Sequence, residues 1–161
     1  EAKFPLLPPG CTAHLIGPVQ SNKANRAAKV AAVVQTIDSE DLARRLDRAA
    51  AALGKRLGAF VQVRLGGEAT KSGVEPGEAP ALAAAVRALP NLDLQGLMAI
   101  PPPGDTRPHF VALRRLGESL GLAGLSMGMS DDFEAAVEEG ATLVRVGSAI
   151  FGARETKKEI S

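Results

Sequence analysis

Tryptophan and tyrosine are absent from the 161 residues, and aromatic side chains amount to 3% of them. Few platforms remain for stacking single-stranded bases, and no reaction can draw a phenol from this chain. One cysteine, Cys11, has no partner for an internal disulfide. His14 and His109 are the only histidines, and beside one cysteine they form no metal-type cluster, so no zinc centre is expected. Charge of one sign is lacking too. Nineteen Lys and Arg against eighteen Asp and Glu leave a formal net charge of +1, with the two signs interleaved, so no basic face for nucleic acid is expected. No apolar run is long enough to cross a membrane, and the opening stretch EAKFPLLPPG lacks a signal-peptide pattern, so a cytoplasmic protein is expected.

What is present is a steady alternation of strand and helix signals in a chain of one-domain length. Strand-like runs cover 12–16, 32–37, 60–65, 94–100 and 142–146, and a further short apolar run ends in the turn at 126–130. Helix-like stretches cover 21–30, 78–89 and 107–120, and one from Glu40 to about Leu57 follows a cap at Asp38-Ser39. In that last helix Leu42, Leu46, Ala49, Leu53 and Leu57 recur at helical spacing and mark a core-facing side. Six strand–helix units predict an α/β fold with a parallel sheet and helices outside it. A closed barrel of this type needs eight strands and on the order of 200 residues or more. An open doubly wound sheet and a barrel lacking two units therefore both remain.

The most informative stretch is 125–154, LSMGMSDDFEAAVEEGATLVRVGSAIFGAR. It reads as two turns of small residues separated by one helix, Ser126-Met127-Gly128-Met129-Ser130 and Gly147-Ser148. Small residues let backbone N–H groups approach an oxyanion closely. Two such turns after successive strands match the phosphate site that (β/α)8 barrels build after their last two strands. A phosphate-bearing ligand is therefore expected. The competing role for Ser130 is helix capping ahead of Asp131 and Asp132.

Four motifs in one order then carry a resemblance. HLIGPVQSNK (14–23), GGEATKSG (66–73), GLMAIPPP (96–103) and the 125–154 stretch together resemble the pyridoxal phosphate homeostasis protein family. The resemblance implies a TIM-type (β/α)8 barrel like the N-terminal domain of alanine racemase, binding pyridoxal 5′-phosphate (PLP). It implies cofactor storage and delivery, with effects on amino-acid and keto-acid balance, and no established catalysis. Residues 1–161 would form a single barrel domain lacking about its first two β/α units, with 155–161 as a frayed tail.

Carried over by position, Ser126 and Ser130 would offer hydroxyls to the phosphate. Met127, Gly128, Gly147 and Ser148 would offer backbone N–H groups, Ser148 adding its hydroxyl. Arg145, set by alternation between Val144 and Val146 on the barrel interior, needs an acceptor there. The pyridine nitrogen of PLP is one candidate and a carboxylate elsewhere in the barrel is another. His14 and Met98 would lie near the ring, and Gln20, Asn22 and Lys23 at the same face. The resemblance also implies a Schiff-base lysine at the end of a first strand that has no counterpart here, so no catalytic residue is expected within the chain. Lys71, in the loop after the 60–65 strand, is on the correct face and could reach toward the site. The implied partners are PLP and PLP-dependent apoenzymes, with no nucleic acid, no membrane and a monomeric state. Two rivals are an amino-acid racemase, which needs an acid/base on each face of its substrate, and a phosphometabolite barrel enzyme.

Overall fold

Helical spacing of leucine and alanine alternates along this chain with β-branched runs, and each change of period becomes a change of element. The structure is a computed structural model and describes residues 8–66 and 72–152. Six strands appear in chain order: β1 His14–Leu15, β2 Val33–Ile37, β3 Leu57–Gln62, β4 Leu92–Met98, β5 Gly124–Met129 and β6 Leu143–Arg145. Between them run α1 Ala24–Val30 behind a 3-10 turn at Ser21–Lys23, α2 Glu40–Ala52, α3 Ala79–Arg87, α4 Arg107–Ser119 and α5 Phe133–Glu138. A short α6, Ser148–Phe151, follows β6. Every pairing is parallel and the sheet order is β1 to β6 without crossover. β2 and β3 are buried at every position, as expected of strands covered on both faces.

The outer face carries the main core. Leu42 and Leu46 of α2 sit one turn apart and pack with Val34, Val61, Leu97 and Phe110. Each such side chain contributes about 1.5–3 kcal/mol by leaving water. The inner face is thinner, with Val33, Phe60 and Met98 against a half-buried Leu143. Two glycines bring β4 and β5 together on that face. A β-carbon built on Gly96 would lie 2.0 Å from the carbonyl oxygen of Gly124, its register partner.

The sheet is curled into a half-barrel, and a side-chain contact proves it. β2 and β5 stand three places apart, which in a flat sheet is about 14 Å. Yet Ser126 Oγ of β5 donates to Gln35 Oε1 of β2 at 2.5 Å. Only strong curvature closes that gap.

Two expectations about local structure need adjusting. Leu57 does not belong to the helical face of α2, because that helix ends at Ala52 and Leu57 opens β3, fully buried. Gly54, at φ +62°, takes the left-handed conformation that stops the helix, and it leaves Leu53 exposed. The Ser39 cap does form, its hydroxyl accepting from the Leu42 N–H at 3.3 Å. Lys71 and the 155–161 tail lie outside the described residues.

Candidate functional site

Polar side chains inside buried strands must find partners, and here they find one another. Arg145 of β6 donates through one terminal nitrogen to Ser126 Oγ at 2.8 Å and through the other to the Ala99 carbonyl at 2.9 Å. Ser126 donates onward to Gln35, whose Nε2 lies 2.7 Å from His14 Nδ1 on β1. One chain of hydrogen bonds thus crosses the hollow of the half-barrel from its last strand to its first. Among the described residues Arg145 is paired with no carboxylate, and its acceptors are Ser126 Oγ and the Ala99 carbonyl. Burial pushes its guanidinium below the ordinary value, and the Asp132 carboxylate works against that shift.

Beside this chain lies a cavity of about 400 Å³ lined by Thr12, His14, Ile16, Gln35, Arg145 and Gly147 among others. Burial lowers the His14 pKa from 6.5. The unfolded chain therefore takes up that proton at higher pH than the folded one. The contribution to stability is complete above 6.5 and is lost as the pH falls below it. Melting temperatures followed from neutral to mildly acid pH should show this decline. A His14→Asn variant should flatten it, and an unchanged slope would show that His14 is not the group responsible.

The second cluster is the pair of small-residue turns. Ser130 Oγ accepts from the Gly147 N–H at 3.2 Å and from the Ala149 N–H at 3.3 Å. Ser130 does not cap α5. That helix starts behind Asp132, whose carboxylate accepts instead from the Met129 N–H at 2.6 Å. Gly128, at φ +88°, makes the turn possible, and a β-carbon there would come 2.5 Å from the Ala136 methyl. Gly147 and Ser148 are exposed, and a β-carbon on Gly147 would meet nothing within 4 Å.

The expected residues therefore divide. Ser130, Gly147 and Ser148 meet at the rim. Ser126, fully buried, joins Arg145 and His14 in the interior hydrogen-bond chain. Met98 is buried in the inner apolar cluster, and the Met127 side chain packs into the outer core. Asn22 lines a separate groove with Arg45 and Arg48, and Lys23 an apolar one with Leu15 and Val19. Sequence reasoning missed Gln35 and Gln62. The signal was available, since a side-chain amide inside an apolar strand has to be hydrogen-bonded. Gln62 Nε2 donates to the Ser72 carbonyl at 3.3 Å, and its buried Oε1 has no partner among the described residues.

An alternative cleft of about 460 Å³ runs between Gly104–Arg107 and the 130–135 turn. Asp105, Asp131, Asp132 and Glu134 line it, which disfavours an anionic ligand, and Arg107 is already engaged by Glu138 and Glu139.

The model of the alanine racemase N-terminal domain family matches residues 8–155. The pyridoxal phosphate homeostasis protein of Pseudomonas aeruginosa is 50% identical over 148 residues, covering 88% of this chain and 64% of that protein. That of Pasteurella multocida is 40% identical over 156 residues, 90% of this chain and 67% of that protein. The chain belongs to the pyridoxal phosphate homeostasis protein family. It spans about two thirds of the length of these curated relatives. Among solved structures, PipY of Synechococcus elongatus superposes with a TM-score of 0.86 at 38% identity, over 94% of this chain and 75% of PipY. PipY has also been solved with PLP bound, and that structure superposes with a TM-score of 0.81. An alanine racemase of Clostridium difficile, 17% identical at a TM-score of 0.73, shares the fold. Among the described residues no helix is long and apolar enough to cross a membrane.

Proposed function

We propose that this chain binds PLP at the rim and hollow of the half-barrel and serves in PLP homeostasis as a carrier without catalysis of its own. The observation that carries the reading is the convergence of the Gly147 and Ala149 N–H groups on one acceptor position, held by Ser130, beside the cavity that contains Arg145. Such a position suits a phosphate oxygen, which would take the two amides from Ser130 and accept the proton of the displaced hydroxyl in turn. Ser148 adds an exposed hydroxyl at the same rim, while Met127 and Gly128 shape the first turn. Arg145, held from behind by Ser126 and Ala99, presents a fixed cation to the ring nitrogen. His14 lines the same hollow, and Met98 is fully buried in the cluster packed against Leu143, which lines it.

When bound, PLP supplies a reactive aldehyde and an electron-accepting ring. A guanidinium at the ring nitrogen keeps that nitrogen unprotonated and weakens electron withdrawal, which supports carriage over transamination. The only titratable side chains lining the cavity among the described residues are His14 and Arg145. None of the described lysines, Lys23, Lys29 and Lys55, lies there. Among the described residues the cavity thus offers no lysine or carboxylate as the acid/base that racemisation needs on each face. In this reading the six strands are units three to eight of an eight-stranded barrel, the aldehyde's lysine belongs to the first unit, and the protein is a cytoplasmic monomer that passes PLP to apoenzymes. The exposed free Cys11 supports a reducing compartment.

Equilibrium dialysis against PLP and against pyridoxal tests the phosphate half. PLP should be retained about 10- to 100-fold more tightly, and Ser130→Ala should narrow that gap by about tenfold, the worth of one hydrogen bond to a charged group. Equal retention of the two compounds would overturn the reading.

A further inference from the structure

The hydrogen-bond chain has a direction, and the direction can be read from which groups are able to donate. Arg145 has no acceptor, so Ser126 Oγ must accept from it. Ser126 then has one proton to place. It is fully buried, and its other recorded side-chain neighbour is the Gln35 amide at 2.5 Å. If that amide presents Oε1 to Ser126, the proton is satisfied and Nε2 is left to face His14 Nδ1 at 2.7 Å. With the amide turned round, Ser126 would accept from both sides and its own proton would be stranded in a buried site. That costs about 1–3 kcal/mol, enough to set the amide's orientation. Nε2 can only donate, so His14 Nδ1 must accept.

We infer that Arg145, acting through Ser126 and Gln35, locks His14 as the neutral tautomer protonated at Nε2, making His14 a hydrogen-bond donor to the ring oxygen of a hydroxypyridine ligand in the hollow. Gln35 is the positioning residue. His14 lines the cavity, and its second ring nitrogen has no protein partner among the described residues. Among the described residues the cavity lining holds no other ionisable donor besides Arg145. The two ends of the relay would then read two different atoms of one ring, Arg145 the nitrogen and His14 the oxygen. Burial favours the neutral imidazole that this requires. The donor role rests on the PLP reading, whereas the tautomer follows from the protein alone.

Two measurements separate those statements. Long-range ¹⁵N NMR of the ligand-free protein at mildly alkaline pH reads the imidazoles directly, and with only two histidines in the sequence the assignment needs one His109 variant. His14 should show an unprotonated Nδ1 and a protonated Nε2. Gln35→Glu replaces the donating amide by an acceptor-only carboxylate and should move the proton to Nδ1. Ser126→Ala frees the amide to turn and should give a mixture of both forms, and it serves if the glutamate variant does not fold. A protonated Nδ1 in the native protein, or a tautomer indifferent to both variants, would overturn the relay. The second measurement is dialysis with PLP and with its 3-deoxy analogue. Native protein should prefer PLP by about tenfold, the worth of one hydrogen bond to a charged acceptor, and Gln35→Glu should erase that preference. A preference unchanged by Gln35→Glu would overturn the donor role. Failure to bind either compound while His14 keeps its expected tautomer would remove the PLP reading and leave the relay standing.

Discussion

Replacing Gly96 by alanine should unfold or nearly unfold this protein. The added methyl carbon would stand 2.0 Å from the Gly124 carbonyl oxygen, 2.4 Å from its carbonyl carbon and 2.6 Å from its Cα. All three are backbone atoms of the adjacent strand, so no side chain can turn aside. β5 would have to retreat by more than an ångström, giving up the register Gly96↔Gly124, Leu97↔Leu125, Met98↔Ser126 and loosening Leu125 and Met127 in the outer core. We expect a loss of about 4 kcal/mol or more, the range reached by overpacking combined with broken pairing. Gly147→Ala is the matched control. It meets no atom within 4 Å and should shift the urea midpoint very little. A Gly96→Ala protein within about 1 kcal/mol of the parent would mean that the two strands do not approach as described.

Arg145→Leu should leave the fold in place and empty the site. The leucine keeps the bulk but removes both donors, so the Ala99 carbonyl and Ser126 Oγ lose their partner and the hollow loses its cation. The hydrogen bond it would offer to the ring is worth about 1.5–3 kcal/mol, whereas loss of the two bonds that hold it is offset by no longer burying a charge. PLP retention should therefore fall by about 100-fold, with thermal stability lowered only modestly. Arg145→Lys should not restore it, because an ammonium on a flexible stem cannot span Ser126 and Ala99 at once. Unchanged PLP retention in Arg145→Leu would remove Arg145 from the site.

The parts of this structure that were legible in the sequence are those governed by period and by local stereochemistry. Ser39 before Glu40 marked a helix start, and the alternation around Arg145 identified the strand face that points inward. The turn of 126–130 was recognisable because Gly128 there allows close approach of the following helix. The end of α2 was misjudged because leucine continues at helical spacing through Leu53 and Leu57, while one glycine with positive φ outweighs that pattern. Gln35 was overlooked for a different reason. Its partners are 21 and 91 residues away, and only the curling of the sheet brings them into reach. The separation of Ser126 from Ser130 likewise depends on where β5 ends, since Ser126 lies inside the strand and Ser130 in the turn beyond Met129.

Ser130 has one more consequence. In the ligand-free protein its hydroxyl already occupies the two amides that a phosphate would want. The rim is never left with bare N–H groups, so an arriving anion exchanges one acceptor for a better one. The net gain is a difference between two hydrogen-bonded states, about 1 kcal/mol for each amide, well short of the full strength of either bond. When the anion departs, the serine closes the gap without help from water. A grip built around such a placeholder would hold an anion loosely and reset itself, as the proposed lending of a cofactor requires.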